Sequence, residues 1–143
     1  MSVTTVEGAL VLLLLANSGV TSICAQRIHA ITDPQNIARP KLTYQRLRTD
    51  RSTETGGFTN GGPTGHAVAV IQIDAWADEL LTAKQLATAA RKALNGFTGT
   101  QGGIWIDSMQ VTDEREIPAQ LLAGQGKPIQ RQMLEIRVQY QDS

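Results

Sequence analysis

The sequence predicts an α+β fold, a four-stranded mainly antiparallel sheet with two helices packed on one face, formed by a single domain spanning residues 1–143. Three observations predict it. From Leu134 to Tyr140 the chain alternates strictly, with Leu134, Ile136, Val138 and Tyr140 facing one way and Glu135, Arg137 and Gln139 the other, the pattern of a strand with one buried and one wet face. Leu80, Ala83, Ala87, Ala90 and Leu94 recur at helical spacing. The order of elements, helix, strand, long loop, strand, helix, strand, loop, strand, suits an antiparallel sheet with helices segregated to one side.

Thr4, Thr5 and Glu7 precede Ala9, Leu10, Leu12, Leu13 and Leu14, so a capped helix is expected to run to about Asn17 and stop at Gly19. It is apolar on most faces and must pack against more than one surface. The run resembles a secretory leader only superficially, because no Lys or Arg precedes it and Glu7 does. It is also shorter than the ~20 apolar residues that span a bilayer. Residues 20–41 read as irregular, with breaks at Pro34 and Pro40. Leu42 to Thr49 reads as a strand whose imperfect alternation predicts a bulge near Gln45 or contacts on both sides.

Residues 50–65 contain five glycines, Pro63 and one large apolar side chain, Phe58. A long flexible loop is expected there, and loops of this length tend to serve a partner. His66 to Trp76 is the second strand, with Ile71, Ile73 and Ala75 on one face and Val70, Gln72, Asp74 and Trp76 on the other. Asp78 is the expected N-cap of the next helix, which Asn95 and Gly96 end. Gly103 to Val111 forms the third strand, Asp113, Glu114 and Glu116 a solvated turn, and Pro118 to Pro128 a second loop.

Thirteen basic and thirteen acidic side chains cancel, which leaves no overall electrostatic footprint for gripping phosphates. Cys24 is the only cysteine, so an internal disulfide is excluded. His29, His66 and Cys24 are too scattered to read as a metal site, and no Gly-x-Ser-x-Gly elbow is present. The Gly124-Gln125-Gly126-Lys127 piece lacks the glycine spacing and following helix of a phosphate loop. The sequence therefore marks no catalytic residue, cofactor or metal ligand. Its one notable charge feature is a basic stripe, Arg39, Lys41, Arg46, Arg48 and Arg51 against Asp50. Such a stripe either guards an edge strand from unwanted pairing or meets an acidic surface of a neighbouring subunit.

The leucine-rich first helix, Gln26-Arg27-Ile28, the PKLTYQR stretch from Pro40 to Arg46, VIQIDAWA from Val70 to Ala77 with its alanine-rich helix, and the final LEIRVQY together resemble one family. It is the tail-completion or tail-to-head joining (tail terminator) family of long-tailed bacteriophages, and the resemblance runs from about Ala9 to Asp142. It implies a hexameric ring at the head-proximal end of the tail tube, which ends tube polymerisation and joins the tail to the head connector. The implied partners are further copies of itself, the tail tube protein and the connector protein, with DNA passing through the lumen without specific binding and no membrane involved. The implied place is the virion's head–tail junction, after assembly in the host cytoplasm. The glycine-rich loop departs from the family pattern. A closed ring needs heterologous contacts, and expected exposure nominates Arg46, Arg48 and Arg51, the loop around Phe58, and the loop carrying Leu121, Leu122 and Lys127. A head-completion or connector ring protein is the nearest alternative. A small-molecule-binding α+β domain is a more distant one, and it needs a concave pocket with converging polar groups.

Overall fold

The computed structural model describes residues 5–30, 38–51, 58–59, 62–63, 66–120 and 128–141. Helix α1 (Val6–Leu15) starts at Thr5, whose hydroxyl accepts the Gly8 N–H at 3.1 Å. The helix does not run on to Gly19. It ends at Ala16, and Asn17 caps a second helix, α2 (Ser18–Cys24), by accepting the Val20 N–H at 3.2 Å. Asparagine competes for backbone N–H groups better as a cap than it serves a helix interior. The resulting 84° bend lets Val20 and Cys24 reach the core alongside Leu10 and Leu14. No helix among the described residues is long and apolar enough to cross a membrane, although the bent pair passes that test when its two parts are joined.

The irregular segment expected after α2 contains strand β1 (Ile28–Ala30), which pairs in parallel with β2 (Lys41–Arg51). Three residues are too few to show a period. Long-range bonds place them, with the Leu42 N–H donating to Arg27 O at 2.9 Å and Arg27 Nε to Pro40 O at 2.8 Å. The β2 bulge lies between Arg46 and Arg48, two residues beyond Gln45, and leaves Leu47 43% exposed. Within the glycine-rich loop, β3 (Phe58–Thr59) and β4 (Gly62–Pro63) make a short antiparallel ribbon.

Strand β5 (His66–Ala77) leads into α3 (Leu80–Leu94). Glu79, not Asp78, occupies the cap position and makes no side-chain cap bond; Asp78 instead takes Arg39 Nε at 2.8 Å. The short β6 (Gly99–Gln101) turns into β7 (Ile104–Gln120), and β8 (Ile129–Gln141) closes the described chain. Asp113, Glu114 and Glu116 lie inside β7 rather than in a turn. Pairing with β8 from Trp105 to Gln120 supplies the backbone bonds that override their low strand preference.

The main sheet therefore has six strands in the order β1-β2-β5-β8-β7-β6, not four, and three helices accompany it, not two. It is a mixed sheet, parallel only at β1–β2. One face of the central strands carries Leu42, Ala67, Ala69, Ile71, Ile73, Leu134, Ile136 and Val138 into a single cluster with side chains of α1, α2 and α3. Ala83, Ala87 and Ala90 line the inner side of α3 and are buried with Leu86 and Leu94, whereas Leu80 is 41% exposed and outside the core.

Candidate assembly surfaces

The sheet face away from the helices is built around Trp76. Antiparallel register sets Lys41, Trp76 and Arg131 in one row across β2, β5 and β8, and Thr43, Asp74 and Met133 in the next. The Trp76 ring has the Lys41 Nζ 5.7 Å from its centroid and the Arg131 guanidinium carbon 4.7 Å away, distances at which the ring quadrupole attracts both cations. Its indole N–H donates to Thr43 Oγ1 at 2.9 Å. Arg131 donates to Asp74 Oδ2 at 3.1 Å, Gln72 Nε2 donates to the same oxygen at 3.0 Å, and Asp74 is only 1% exposed. Arg131 Nε is buried without a hydrogen-bond partner among the described residues. Burial, with Arg39 nearby, pushes the Lys41 ammonium pKa down. At the other end of the sheet, on β7, Trp105 is 45% exposed and donates to Asp107 Oδ1 at 2.7 Å, with Nδ1 of His66 on β5 3.3 Å from the second oxygen of Asp107.

The basic stripe divides into inward and outward parts. Arg46 is paired with Glu7 at the start of α1, its Nε lying 3.1 Å from Glu7 Oε1, and its Nη1 donates to Thr49 at 2.9 Å. That pair pins the helix to the sheet. Arg48 turns outward, meeting Asp50 at 3.3 Å with both side chains 64% exposed. Arg51 lies at the end of β2 and Phe58 in the β3–β4 ribbon, but their side chains are outside the description, as are Leu121, Leu122 and Lys127 altogether.

The charge reading of the sequence missed an acidic strand elsewhere in the same sheet. Strand β2 carries Lys41, Arg46, Arg48 and Arg51 against Asp50, a net +3, while β7 carries Asp107, Asp113, Glu114 and Glu116 against Arg115, a net −3. The two strands stand near opposite margins of the sheet, and both are offset by neighbouring charges, Glu7 beside Arg46 and Lys84 and Arg91 of α3 beside Glu116 and Glu114. The sequence signal was the run Asp113 to Glu116; its place in a strand became visible only with β8 beside it.

An open groove of about 560 Å³ lies between α2 and α3, lined by Asn17, Gly19, Leu81, Lys84, Ala89 and Lys92. Its lysines are exposed and Leu81 is 66% exposed, so no buried polar groups converge there as in a typical ligand site. Among the described residues no three His, Cys, Asp or Glu side chains gather as a metal site.

The family model of tail completion protein gp17 matches residues 8–121. The chain belongs to that family. This tail completion protein is accordingly a structural protein of the phage tail. Among solved structures, a chain of the virion of a native gene transfer agent particle shares its fold, with a TM-score of 0.64 over 95% of this chain and 94% of that one at 16% identity. No curated protein matches in sequence. The match covers α1 to β7, so the Trp76 cluster and both charged strands fall within it, apart from Arg131 on β8.

Proposed function

We propose that this tail completion protein acts as a single-domain subunit of a hexameric ring at the head-proximal end of the tail tube, where it ends tube polymerisation and joins the tail to the head connector. The observation that carries this reading is the family match over residues 8–121. The likeness to a chain of a gene transfer agent virion supports it, because it extends over nearly the full length of both chains. Net neutrality also suits a ring around DNA, since weak phosphate contacts leave a lumen unobstructed. The partners in this reading are further copies of the chain, the tail tube protein and the connector protein, in the virion and in the host cytoplasm during assembly.

Electron microscopy of particles made without this protein tests the assignment. Tails of uncontrolled length beside filled but unjoined heads are expected. Tails of normal length beside leaking heads would instead move the protein to the connector layer.

A further inference from the structure

Cations outnumber carboxylates at the end of the sheet where β2 starts, β5 ends and β8 starts. Lys41 and Arg131 flank Trp76 in one row across those strands, on the face away from the helices. Strand β1 extends the row. Ile28 is level with Leu42 and both belong to the core, so Arg27, one residue earlier, stands beside Lys41 with the opposite facing. Arg39 lies two residues before Lys41. Against these four cations stand two carboxylates, Asp74 paired with Arg131 and Asp78 paired with Arg39. Arg27 donates its Nε to the Pro40 carbonyl and Lys41 lies against the Trp76 ring, and neither has a carboxylate partner among the described residues.

This surplus charge is not held out in water. Lys41 and Arg27 are half-buried, and the side chains of Arg39 and Arg131 are 20% and 24% exposed. A cation withdrawn from water without a counter-charge is unfavourable, and the lowered pKa of Lys41, caused by burial and then by Arg39, has the same origin. An arriving anion relieves that penalty. The surroundings are also fixed beforehand, since Thr43 holds the Trp76 indole N–H and Asp74 holds Arg131, so little ordering remains for binding to supply.

We propose that this end of the outer sheet face docks an acidic polypeptide segment of a partner protein, a carboxylate of which seats on Lys41 and Arg27 beside Trp76. The site lies within a single chain and stands whether or not copies of the chain close into a ring. Nucleic acid fits it less well. Single strands stack their bases on open aromatic faces, whereas the Trp76 ring is already engaged by Lys41 and Arg131. Duplex affinity comes from neutralising many phosphates, and only two cations here lack a carboxylate. A carboxylate on a flexible side chain can reach half-buried cations that a rigid duplex backbone cannot.

The test follows Trp76 fluorescence in the full-length chain carrying Trp105→Phe, which leaves Trp76 as the single tryptophan. The probes are an end-blocked oligoglutamate peptide, the oligoglutamine of equal length and a short DNA duplex of equal charge, with circular dichroism to confirm folding. Oligoglutamate should shift the emission saturably, and less so at high salt. Lys41→Gln should weaken that binding roughly tenfold or more, and Lys41→Arg, which keeps the charge, should retain it. Arg48→Gln should leave it within about twofold, because Arg48 is level with Val70, about 20 Å along β5 from Trp76 and beyond the screening length at moderate salt. No saturable response at millimolar oligoglutamate, an equal response to oligoglutamine, or undiminished binding by Lys41→Gln would overturn the site. Tighter binding of the duplex than of the peptide would overturn the polypeptide occupant in favour of nucleic acid.

Discussion

On the helix side of β5, Ile73 is 1% exposed beneath a second layer of structure, and on the opposite side its neighbour Asp74 is equally buried with no described helix above it. Cover comes from different sources. Ile73 is enclosed by apolar side chains of the cluster that includes α1, α2 and α3, so its burial is part of what drives the chain to fold. Asp74 is covered by long side chains lying along the sheet, with Arg131 and Gln72 hydrogen-bonded to it and Trp76 stacked beside Arg131. A buried carboxylate is tolerated only when such partners are in place. One strand thus carries a face that holds the protein together and a face whose order depends on each polar member being present.

The largest expected effect lies on the apolar face. Ile71→Ala should destabilise the protein by about 3 kcal/mol in chemical denaturation, since a fully buried side chain is removed from beneath close-packed helices. A loss under about 1 kcal/mol would mean that the helix layer collapses into the space and is not the rigid cover described. On the polar face, Arg131→Ala leaves Asp74 with Gln72 as its side-chain partner among the described residues and should cost about 2 kcal/mol, less than for a fully enclosed pair because Arg131 is 24% exposed. Combining it with Asp74→Asn should cost less than the two single changes added together. Strict additivity would show that the two side chains do not act as a pair.

A smaller change separates backbone from side-chain effects. Ala25 ends α2 at φ 55 and ψ −124, a region that favours glycine, so Ala25→Gly should raise stability by about 1 kcal/mol. An equal loss would place the constraint in the Ala25 methyl group. Arg48→Glu, at the exposed margin, should move stability by no more than about 0.5 kcal/mol. Cys24 reports on the apolar face without any substitution. It is fully buried, and desolvation raises its thiol pKa even though Arg27 opposes the shift, so little thiolate forms near neutral pH. Labelling by a thiol reagent should therefore wait for opening of the helix layer; rapid labelling of the folded protein would show that α2 is not closed over the core.

Much of the fold was legible because it is periodic. The alternation of β8, the two faces of β5 and the apolar spacing of α3 each appear in the sequence and in the structure. Asn17 shows where legibility ended: it reads equally as the last turn of one helix or the cap of the next, and the 84° bend follows from which choice buries Val20 and Cys24. The basic stripe was visible, but its division between Arg46, held by Glu7, and Arg48, turned outward, was not. The two members of that ion pair are 39 residues apart.

By itself the sequence determined the periodic elements, the absence of a marked catalytic motif and the family resemblance, because each is written in local order and spacing. Tertiary structure alone decided that β1 and β6 extend the sheet, that Asp74 is buried beside Arg131, and that opposite charges stand near opposite margins. These depend on strand order, which brings residues distant in the chain into register through backbone hydrogen bonds and leaves no local period to read.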